Sequence, residues 1–411
     1  MHICFFNRSY WPDHAATGQL LTELAEDLVN RHGCRVTVVA GRALRGGDQN
    51  ERRYSAVSRE IRNGVSILRA NGTRLWPGRF AGRATNYLTY FGSACLAGTR
   101  LDRPDIVVTL TDPPILGLAA LWAARRANAR FVFLCEDVFP EVATLLADFQ
   151  SAAINSALDR TNRYLLRHSD AIVVLGDRMQ RRLVEEKGAD RGRMHVIHNW
   201  ADCEAIVPGP RDNAFAREHG LADRFVLMHS GNVGMSQELE ALVEAASRLT
   251  SKEKLVVAIV GDGGKRPELE ADVRRRGISN VRFFPYQPKE RLADSFATAD
   301  AFLVSLKAGI EGYIVPSKLY GILAAGRGYI AAVDPSCEAA TIAVNHQCGV
   351  LAAPGNADAL AAAIASLYDN PPLVRTLGAN ARRAALQFDR RVAIQRYHDL
   401  FARLLGIARA A

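Results

Sequence analysis

The sequence predicts an α/β protein made of two doubly wound, parallel-sheet domains. Two observations lead to this fold class. The chain has 411 residues, more than one ordinary hydrophobic core accommodates. Short, almost continuously apolar segments also alternate with longer amphipathic segments along the whole sequence, and buried parallel strands joined by helices have this pattern.

Seven apolar segments indicate the strands of a first domain over residues 1–200. They read HICFFN, RVTVVAG, VSILRA, DIVVTLT, RFVFLCED, AIVVLG and MHVIHN. Between the first two, the segment TGQLLTELAEDLVNRHG places three leucines on one stripe, so it predicts a helix that Thr17 caps and Gly33 ends. This alternation is that of a Rossmann-like domain.

The pattern starts again after residues 201–213, which contain two prolines and have no strong period, so we interpret them as a linker. A second Rossmann-like domain over 214–385 follows from six further segments: RFVLMHSGN, KLVVAIVGDGG, VRFFPYQ, AFLVSL, YIAAVD and CGVLAAPG. The last segment, 386–411, predicts one long amphipathic helix with no strand after it.

Composition excludes several protein classes. The chain is 48% hydrophobic and 23% charged, which is typical of a globular domain, and no window approaches the roughly 20 apolar residues of a membrane span. The N-terminus, MHICFFNRSYWPDH, meets charge too early for a signal peptide. Seven scattered cysteines without a CxxC pair indicate free thiols in a reducing cytoplasm and no zinc site.

The formal net charge is +9, and residues 42–83 contain ten arginines and three acids. Leu75, Trp76 and Phe80 are interleaved with these arginines. A solvated loop fits this composition, and so does a surface for anionic lipid headgroups. Single-stranded nucleic acid would require a similar mixture, but we expect no nucleic-acid partner.

Two loops of the second domain follow predicted strands and are rich in glycine. Ligands bind at the C-terminal ends of parallel strands, and main-chain N–H groups at a helix start can hold a phosphate. A tight turn with a polar helix cap is the alternative, and neither loop has the GxGxxG spacing of a dehydrogenase. The loops contain Ser230, Gly231, Asn232 and Gly234 in SGNVG, and Gly261 and Gly263 in GDGGK.

The segment KAGIEGYIVPSKLYGILAAG, from Lys307 to Gly326, combines an acid, glycines and a Ser-Lys pair. A lysine in the first turn of a helix is disfavoured by the helix dipole unless an anion lies beside it. We therefore expect Ser317 and Lys318 to contact a diphosphate; a proline-started core helix with a solvated lysine is the alternative. Gly321 is unusual, since glycine costs about 1 kcal/mol relative to alanine inside a helix.

In the first domain the segment LCEDVFPEVA places Glu136, Asp137 and Glu141 after a predicted strand. A carboxylate there could orient or deprotonate an attacking hydroxyl, although acids that cap the next helix have the same pattern. The loop SYWPDHAATGQL, which contains Gly18, predicts an acceptor loop or lid; His14 alone is weak evidence.

Together these segments resemble the GT-B glycosyltransferases of glycosyltransferase family 4, and most closely the bacterial transferases of exopolysaccharide, colanic-acid-type and O-antigen assembly. The resemblance covers essentially the whole chain. Its motifs are SGNVG, GDGG, NVRFFPYQP, ADAFLVSL and VPSKLYGILAAG, with EDVFPE and HVIHNW in the first half. It implies two domains facing each other across a cleft, with 386–411 packed back on the first.

The resemblance implies retaining transfer of a sugar from a nucleotide diphosphate donor, without a metal or further cofactor in the catalytic step. A UDP-sugar such as a UDP-N-acetylhexosamine is the expected donor. A polyprenyl-diphosphate-linked or saccharide acceptor in cell-surface polysaccharide synthesis is the expected partner, at the inner face of the cytoplasmic membrane. Residues 42–83 would contact that membrane.

The resemblance also implies the site residues. The donor would contact Ser230, Gly231, Asn232, Gly234, Gly261 and Gly263 at the diphosphate, Tyr286 and Gln287 near the base, Glu311 near the sugar, and Ser317, Lys318, Tyr320 and Gly321. The acceptor would contact Thr17, Gly18 and Glu136. Asp137 and Lys318 are the expected catalytic residues.

The chain departs from the family at two points. Aligned on PSK, two glutamates of many relatives fall on Tyr313 and Gly321, and SGNVG lacks a basic pair, which leaves Lys318, Lys265 or Arg266 to neutralise phosphates. Two other functions therefore stay open: a GT-B-fold epimerase or hydrolase of sugar nucleotides, and a non-catalytic protein that binds them.

Overall fold

The computed structural model describes residues 1–13, 15–42, 56–73, 75, 80–146 and 151–407. The chain forms two compact units, one of residues 1–198 with 393–411 and one of residues 199–392. Residues 201–213, for which the sequence predicts a linker, lie within the second unit. Within the described part of the chain, every helix is too short or too polar to cross a lipid bilayer.

The first unit contains an eight-stranded sheet with the strand order β3-β4-β2-β1-β5-β6-β7-β8. The strands are β1 (His2–Phe6), β2 (Arg35–Gly41), β3 (Val57–Arg62), β4 (Val65–Ala70), β5 (Ile106–Thr109), β6 (Arg130–Cys135), β7 (Ala171–Val174) and β8 (Met194–Val196). β3 is antiparallel to β4, and the other described pairings are parallel.

The seven predicted strands of this unit correspond to β1, β2 and β4 to β8. The sequence did not predict β3, because VSREIR exposes most of its side chains at the edge of the sheet and lacks the apolar run of a buried strand. Thr17 was expected to cap α1, but the N-cap is Ala15 and Thr17 lies inside the first turn.

Helices connect the strands of the first unit. They are α1 (Ala16–Asn30), α2 (Phe80–Thr99), α3 (Leu116–Ala127), α4 (Glu141–Leu145), α5 (Ala152–His168) and α6 (Asp177–Lys187).

The second unit contains a six-stranded parallel sheet with the order β11-β10-β9-β12-β13-β14. The strands are β9 (Phe225–Ser230), β10 (Leu255–Val260), β11 (Val281–Phe284), β12 (Ala301–Ser305), β13 (Gly328–Ala332) and β14 (Gly349–Ala352). They match the six segments predicted from the sequence. The order reverses between β9 and β12, so the switch point at which Rossmann-like sheets bind ligands lies between these two strands.

The helices of the second unit cover both faces of its sheet. They are α7 (Ala214–Glu218), α8 (Leu239–Ser247), α9 (Arg266–Arg276), α10 (Leu292–Thr298), α11 (Lys318–Ala324), α12 (Glu338–Asn345), α13 (Ala357–Asp369) and α14 (Pro371–Ala385). β9 and β10 are almost entirely buried, as expected of central parallel strands.

The last helix, α15 (Arg390–Leu404), belongs to the first unit from residue 393 onward. Phe401 packs edge-to-face on Phe5 of β1, with 6.4 Å between ring centroids, and His398 stacks on His32 at 4.4 Å. These contacts bury the apolar side of the helix against the first sheet.

Lys187, at the end of α6, is a charged residue that is buried inside the first unit. Only 1% of its side chain is exposed, and its Nζ donates to Glu141 Oε1 and Asp159 Oδ1, each at 2.5 Å. The lysine thus joins α4, which directly follows the EDVFP segment, to α5 and α6. Removing one member of a buried ionic cluster leaves charge without compensation.

We expect Lys187→Met to lower the free energy of unfolding by about 3 kcal/mol, because two carboxylates lose their shared cation. Urea denaturation measures the change. Arg181 is exposed on the same helix, so Arg181→Met is the matched control and should change stability by less than about 0.5 kcal/mol. Equal losses in the two variants would contradict an ionic role for Lys187.

Candidate functional site

The loops after β9 and β10 meet at the switch point of the second unit. Val233 N–H donates to Asp262 O at 2.9 Å, and Lys265 N–H donates to Val233 O at 3.0 Å. A Cβ atom on Gly261 would lie 1.9 Å from Gly231 O, and φ at Gly261 is +140°. Because only glycine permits this approach, the two predicted glycine loops form one surface.

Lys318, the first residue of α11, extends its side chain to this surface. A Cβ atom on Gly231 would lie 3.9 Å from Lys318 Cδ. Lys318 Nζ lies 3.2 Å from Nδ1 of His229, which is fully buried at the end of β9. The structure therefore brings together three segments that the sequence analysis selected separately, and it adds His229.

The imidazole of His229 has a defined tautomer. Its Nε2 lies 3.2 Å from Asn232 O, and a carbonyl oxygen can only accept, so the ring proton is on Nε2. Nδ1 is then an acceptor directed at Lys318. Burial, followed by the nearby Lys318, lowers the pKa of His229 well below its usual value, so the ring is neutral.

Burial also lowers the pKa of Lys318 to about 7. In the described part of the chain no carboxylate lies within ion-pair distance of this ammonium group. An anion bound beside Lys318 would stabilise its charged form and raise its pKa again. The electrostatics of this position thus favour an anionic ligand.

The other two candidate cations already have carboxylate partners. Lys265 Nζ lies 2.9 Å from Glu240 and 3.0 Å from Glu268. Arg266 Nε donates to Glu270 at 2.7 Å, and its Nη1 donates to the carbonyl oxygen of residue 284. Both side chains are therefore held by other groups, and Lys318 is the cation of this surface with no carboxylate partner among the described residues.

The remaining predicted donor residues occupy different environments. Tyr286, after β11, is 49% exposed, whereas Gln287 is buried and donates to Pro285 O at 2.9 Å. Glu311 is buried in the loop after β12. That loop joins the glycine loops through Lys307 N–H, which donates to Ser236 O at 2.8 Å.

Tyr320 has no exposed surface and packs on Phe388, with 5.3 Å between ring centroids. It packs in the core of the second unit, and its contact with a donor stays a prediction. Sequence spacing alone could not separate it from its neighbour Lys318.

Gly321 faces the interior of the second unit. A Cβ atom at this position would lie 3.0 Å from Cε2 of Phe296 on α10 and 3.9 Å from Cδ1 of Ile206. A larger residue at position 321 would therefore force α11 and Phe296 apart. This close packing explains why the residue at position 321 is glycine.

At the switch point of the first unit, polar residues follow β1, β5 and β6. Asp137 has a pKa raised to about 7, first by burial and second by the charge of Asp112. Asp112 accepts from Arg8 Nε at 3.2 Å and from Ser9 Oγ at 3.1 Å. Asp137 N–H donates to Thr111 Oγ1 at 3.2 Å.

The sequence analysis selected Asp137 but missed Arg8 and Asp112. Arg8 lies shortly after β1 and Asp112 shortly after β5, and these strands are neighbours in the sheet. Their positions after strands could have indicated these residues from the sequence. Gly18 permits close packing of α1, because its Cβ would lie 3.2 Å from the main chain of Ser9. Thr17 is half-buried and Glu136 is buried; His14 and most of 42–55 lie outside the described residues.

A cavity of about 650 Å³ lies at the opposite, N-terminal edge of the second sheet. Arg211 and Arg327 line it, and their guanidinium groups donate to main-chain carbonyls of Leu221 at 2.8 Å and of Ala297 at 2.6 Å. These arginines already bind main-chain carbonyl groups, so the cavity is not our candidate site. Within the described residues, no three His, Cys, Asp or Glu side chains cluster as metal ligands.

Two family models match the chain in succession. A model of the glycosyl transferase 4-like domain matches residues 16–200, and a model of glycosyl transferases group 1 matches residues 211–384. The chain belongs to glycosyltransferase family 4. This confirms the resemblance, and the fold is GT-B.

Three individual proteins illustrate the relationship. The probable glycosyltransferase WbjE of Pseudomonas aeruginosa is 28% identical over 59% of this chain and 61% of its own length. The putative colanic acid biosynthesis glycosyl transferase WcaI of Escherichia coli K12 is 33% identical over 43% of this chain and 42% of its own length. The match thus spans less than two thirds of these curated relatives.

The third is a crystal structure of Anabaena HepE in complex with UDP. It has a TM-score of 0.73 and 16% sequence identity, and the alignment covers 98% of this chain and all of HepE. HepE therefore has the same fold over essentially its whole length.

We expect Gly261→Ala to lower the free energy of unfolding by about 2–4 kcal/mol, because the added Cβ meets Gly231 O and the left-handed backbone becomes strained. Thermal or urea unfolding measures the loss. Gly264 lies three residues away and a Cβ there meets no atom within 4 Å, so Gly264→Ala is the matched control and should stay near wild type. A stable Gly261→Ala protein would contradict the close approach of the two loops.

Proposed function

We propose that this chain transfers a sugar from a nucleoside diphosphate donor to an acceptor. The observation that carries the proposal is Lys318, a cation with a pKa near 7 that lies beside Gly231 and His229 at the switch point of the second unit. A diphosphate supplies the negative charge that this position lacks. Main-chain N–H groups of both loops would complete its binding.

A UDP-sugar is the donor we propose. The complex of HepE with UDP, a structure of the same fold, supports this choice. Tyr286 and Gln287 would lie near the base, and Glu311 near the sugar. The sugar that we propose is one such as an N-acetylhexosamine.

The chemical step breaks the bond between the anomeric carbon and the diphosphate oxygen and forms a bond from that carbon to the acceptor oxygen. Negative charge collects on the diphosphate as it leaves, and Lys318 would stabilise it, without a metal in the step. The acceptor proton would pass to the departing phosphate on the same face, so that the anomeric configuration is retained. Electrons and protons then balance without a further reactant.

The first unit would bind the acceptor. Asp137, with its pKa near 7, could accept a hydrogen bond from the acceptor hydroxyl and orient it, and Thr17, Gly18 and Glu136 would line the same region. We propose a polyprenyl-diphosphate-linked or saccharide acceptor of cell-surface polysaccharide synthesis, used at the inner face of the cytoplasmic membrane. The similarity to WcaI, a putative glycosyl transferase of colanic acid biosynthesis, supports this class.

The proposal is tested by incubating the protein with a panel of radiolabelled nucleotide sugars and lipid-linked saccharides. Product in which label moves to the acceptor supports transfer. Release of free sugar without acceptor would identify a hydrolase, and an epimerised nucleotide sugar would identify an epimerase. Binding of a donor with none of these products on any acceptor would identify a non-catalytic protein.

Lys318→Ala should reduce kcat/KM for the donor by about 100-fold or more, because the leaving diphosphate loses its cation. Steady-state kinetics and UDP titration measure the effect. Lys265→Ala is the matched control: this lysine is nearby but paired with Glu240 and Glu268, and its removal should change kcat/KM by less than about threefold. Wild-type rates in Lys318→Ala would remove Lys318 from the mechanism.

UDP affinity should fall as pH rises above 7. Lys318 in the free protein loses its proton through about pH 7, so binding at higher pH requires proton uptake, with a loss of up to about tenfold per pH unit. The ligand does not produce this slope, because the second ionisation of a terminal phosphate has a pKa of about 6 and is largely complete above about pH 7. Calorimetric titrations from about pH 6 to about pH 9, a range that spans the pKa of Lys318, measure the slope.

Lys318→Arg is the control for this titration. A guanidinium stays charged throughout the range, so the variant should bind UDP with an affinity that does not depend on pH. The same downward slope in Lys318→Arg would assign the titration to another group.

A further inference from the structure

Helix α2 exposes a face without charge. No residue from Ala84 to Thr99 is charged. The exposed positions are Thr85, Leu88, Gly92, Leu96 and Thr99, which are spaced three or four residues apart and form one stripe, here called the α2 face. Leu88 is 63% exposed and Leu96 is 39% exposed. The outer face of a helix on a globular protein is ordinarily charged or polar, so this face is unusual.

The packing around α2 extends the α2 face on two sides. A Cβ on Gly98 would lie 3.2 Å from the Trp122 ring on α3, and Trp122 is 43% exposed. On the other side Asn86 accepts from Leu75 N–H at 2.8 Å and donates to Leu75 O at 3.0 Å, and Leu75 is 41% exposed. A Cβ on Gly92 would meet no atom within 4 Å, so the middle of the face is open.

Arginines border this apolar surface. Arg100 directly follows α2, and Arg125 and Arg126, both exposed, follow Trp122 by one turn of α3. Arg125 Nη1 is held 3.2 Å from the hydroxyl of Tyr164 on α5. Apolar side chains with an aromatic ring and a basic margin are the composition of helices that lie in a membrane interface.

We propose that the α2 face, with Leu75 and Trp122, docks this protein on an anionic lipid surface. The leucines and the Trp122 ring would enter the boundary between headgroups and acyl chains, while the arginines bind headgroup phosphates. This deepens the proposed function, on which the choice of a lipid partner rests. Leu75 lies within the 42–83 segment, for which the sequence predicts membrane contact, and the α2 face and Trp122 extend that contact beyond the segment.

Charge favours a lipid surface over a second copy of the chain. Two copies joined through the α2 face would bring together faces with arginine margins and no acid on either stripe, in a protein of net charge +9. Like charges at an interface oppose association, whereas an anionic bilayer attracts each arginine.

The test is sedimentation of the full chain with phosphatidylcholine vesicles, with and without phosphatidylglycerol. We expect binding that requires phosphatidylglycerol and that falls roughly tenfold or more in the double variant Leu88→Glu, Leu96→Glu. Val344→Glu, Leu386→Glu is the matched control, because these residues are 59% and 55% exposed on the second unit; it should bind as wild type does. Circular dichroism verifies that the variants are folded.

A second readout locates the contact. Brominated lipid should quench tryptophan fluorescence on binding, and Trp122→Phe, compared at equal amounts of vesicle-bound protein, should remove most of that quenching. Wild-type binding by the Leu88→Glu, Leu96→Glu protein, or wild-type protein that ignores phosphatidylglycerol vesicles, would overturn the proposal. A dimer in sedimentation equilibrium that the same double variant dissolves would assign the face to a second copy and would also overturn it.

The outcome is separable from that of the proposed function. UDP binding is measured in the same proteins by thermal shift, and ligand binding raises the unfolding temperature by mass action. The α2-face variants should keep the UDP shift, and Lys318→Ala should keep vesicle binding. Loss of one without the other shows which proposal has failed.

Discussion

The close approach of the two glycine loops is the constraint on which the candidate site depends. Gly261 brings the start of one loop against the carbonyl oxygen of Gly231, and Gly263 brings the next turn against that of Val233, where added Cβ atoms would lie at 1.9 Å and 2.3 Å. With the loops in contact, the ends of β9 and β10 become one polar surface. Lys318 reaches that surface beside Gly231, where an added Cβ atom would lie 3.9 Å from Lys318 Cδ.

The charge balance at this surface then determines what it can bind. A lysine in the first turn of a helix opposes the helix dipole, and burial adds a desolvation cost that lowers its pKa to about 7. His229 contributes only a neutral acceptor nitrogen. Lys265 and Arg266 are already compensated by carboxylates, so they add little field at the loops. An anion is what would offset the cost of holding Lys318 there.

The sequence was sufficient for the parallel strands, because buried parallel strands are continuously apolar, and for the glycine loops, because their positions after strands are visible. The sequence did not predict β3, because the side chains of this strand are mostly exposed. It did not indicate Arg8 and Asp112 either, because single polar residues after a strand are common, and only the pairing of β1 with β5 brings these two together. The sequence also did not reveal that Tyr320 is buried, because adjacency to Lys318 along the chain does not show that successive helical residues point in different directions.

Gly321 shows how packing can replace a functional explanation. Aligned with relatives, the position lacks a carboxylate, and this absence alone would suggest a weakened site. The ring of Phe296 lies where a longer side chain would begin, at 3.0 Å from the Cβ position of Gly321 in the middle of α11. Gly326, which follows the end of the helix, lies equally close to Pro208, at 2.9 Å. Both glycines let the segment that starts at Lys318 pack tightly on its neighbours. The packing around Gly321 therefore explains the glycine, and its presence is compatible with a functional donor site.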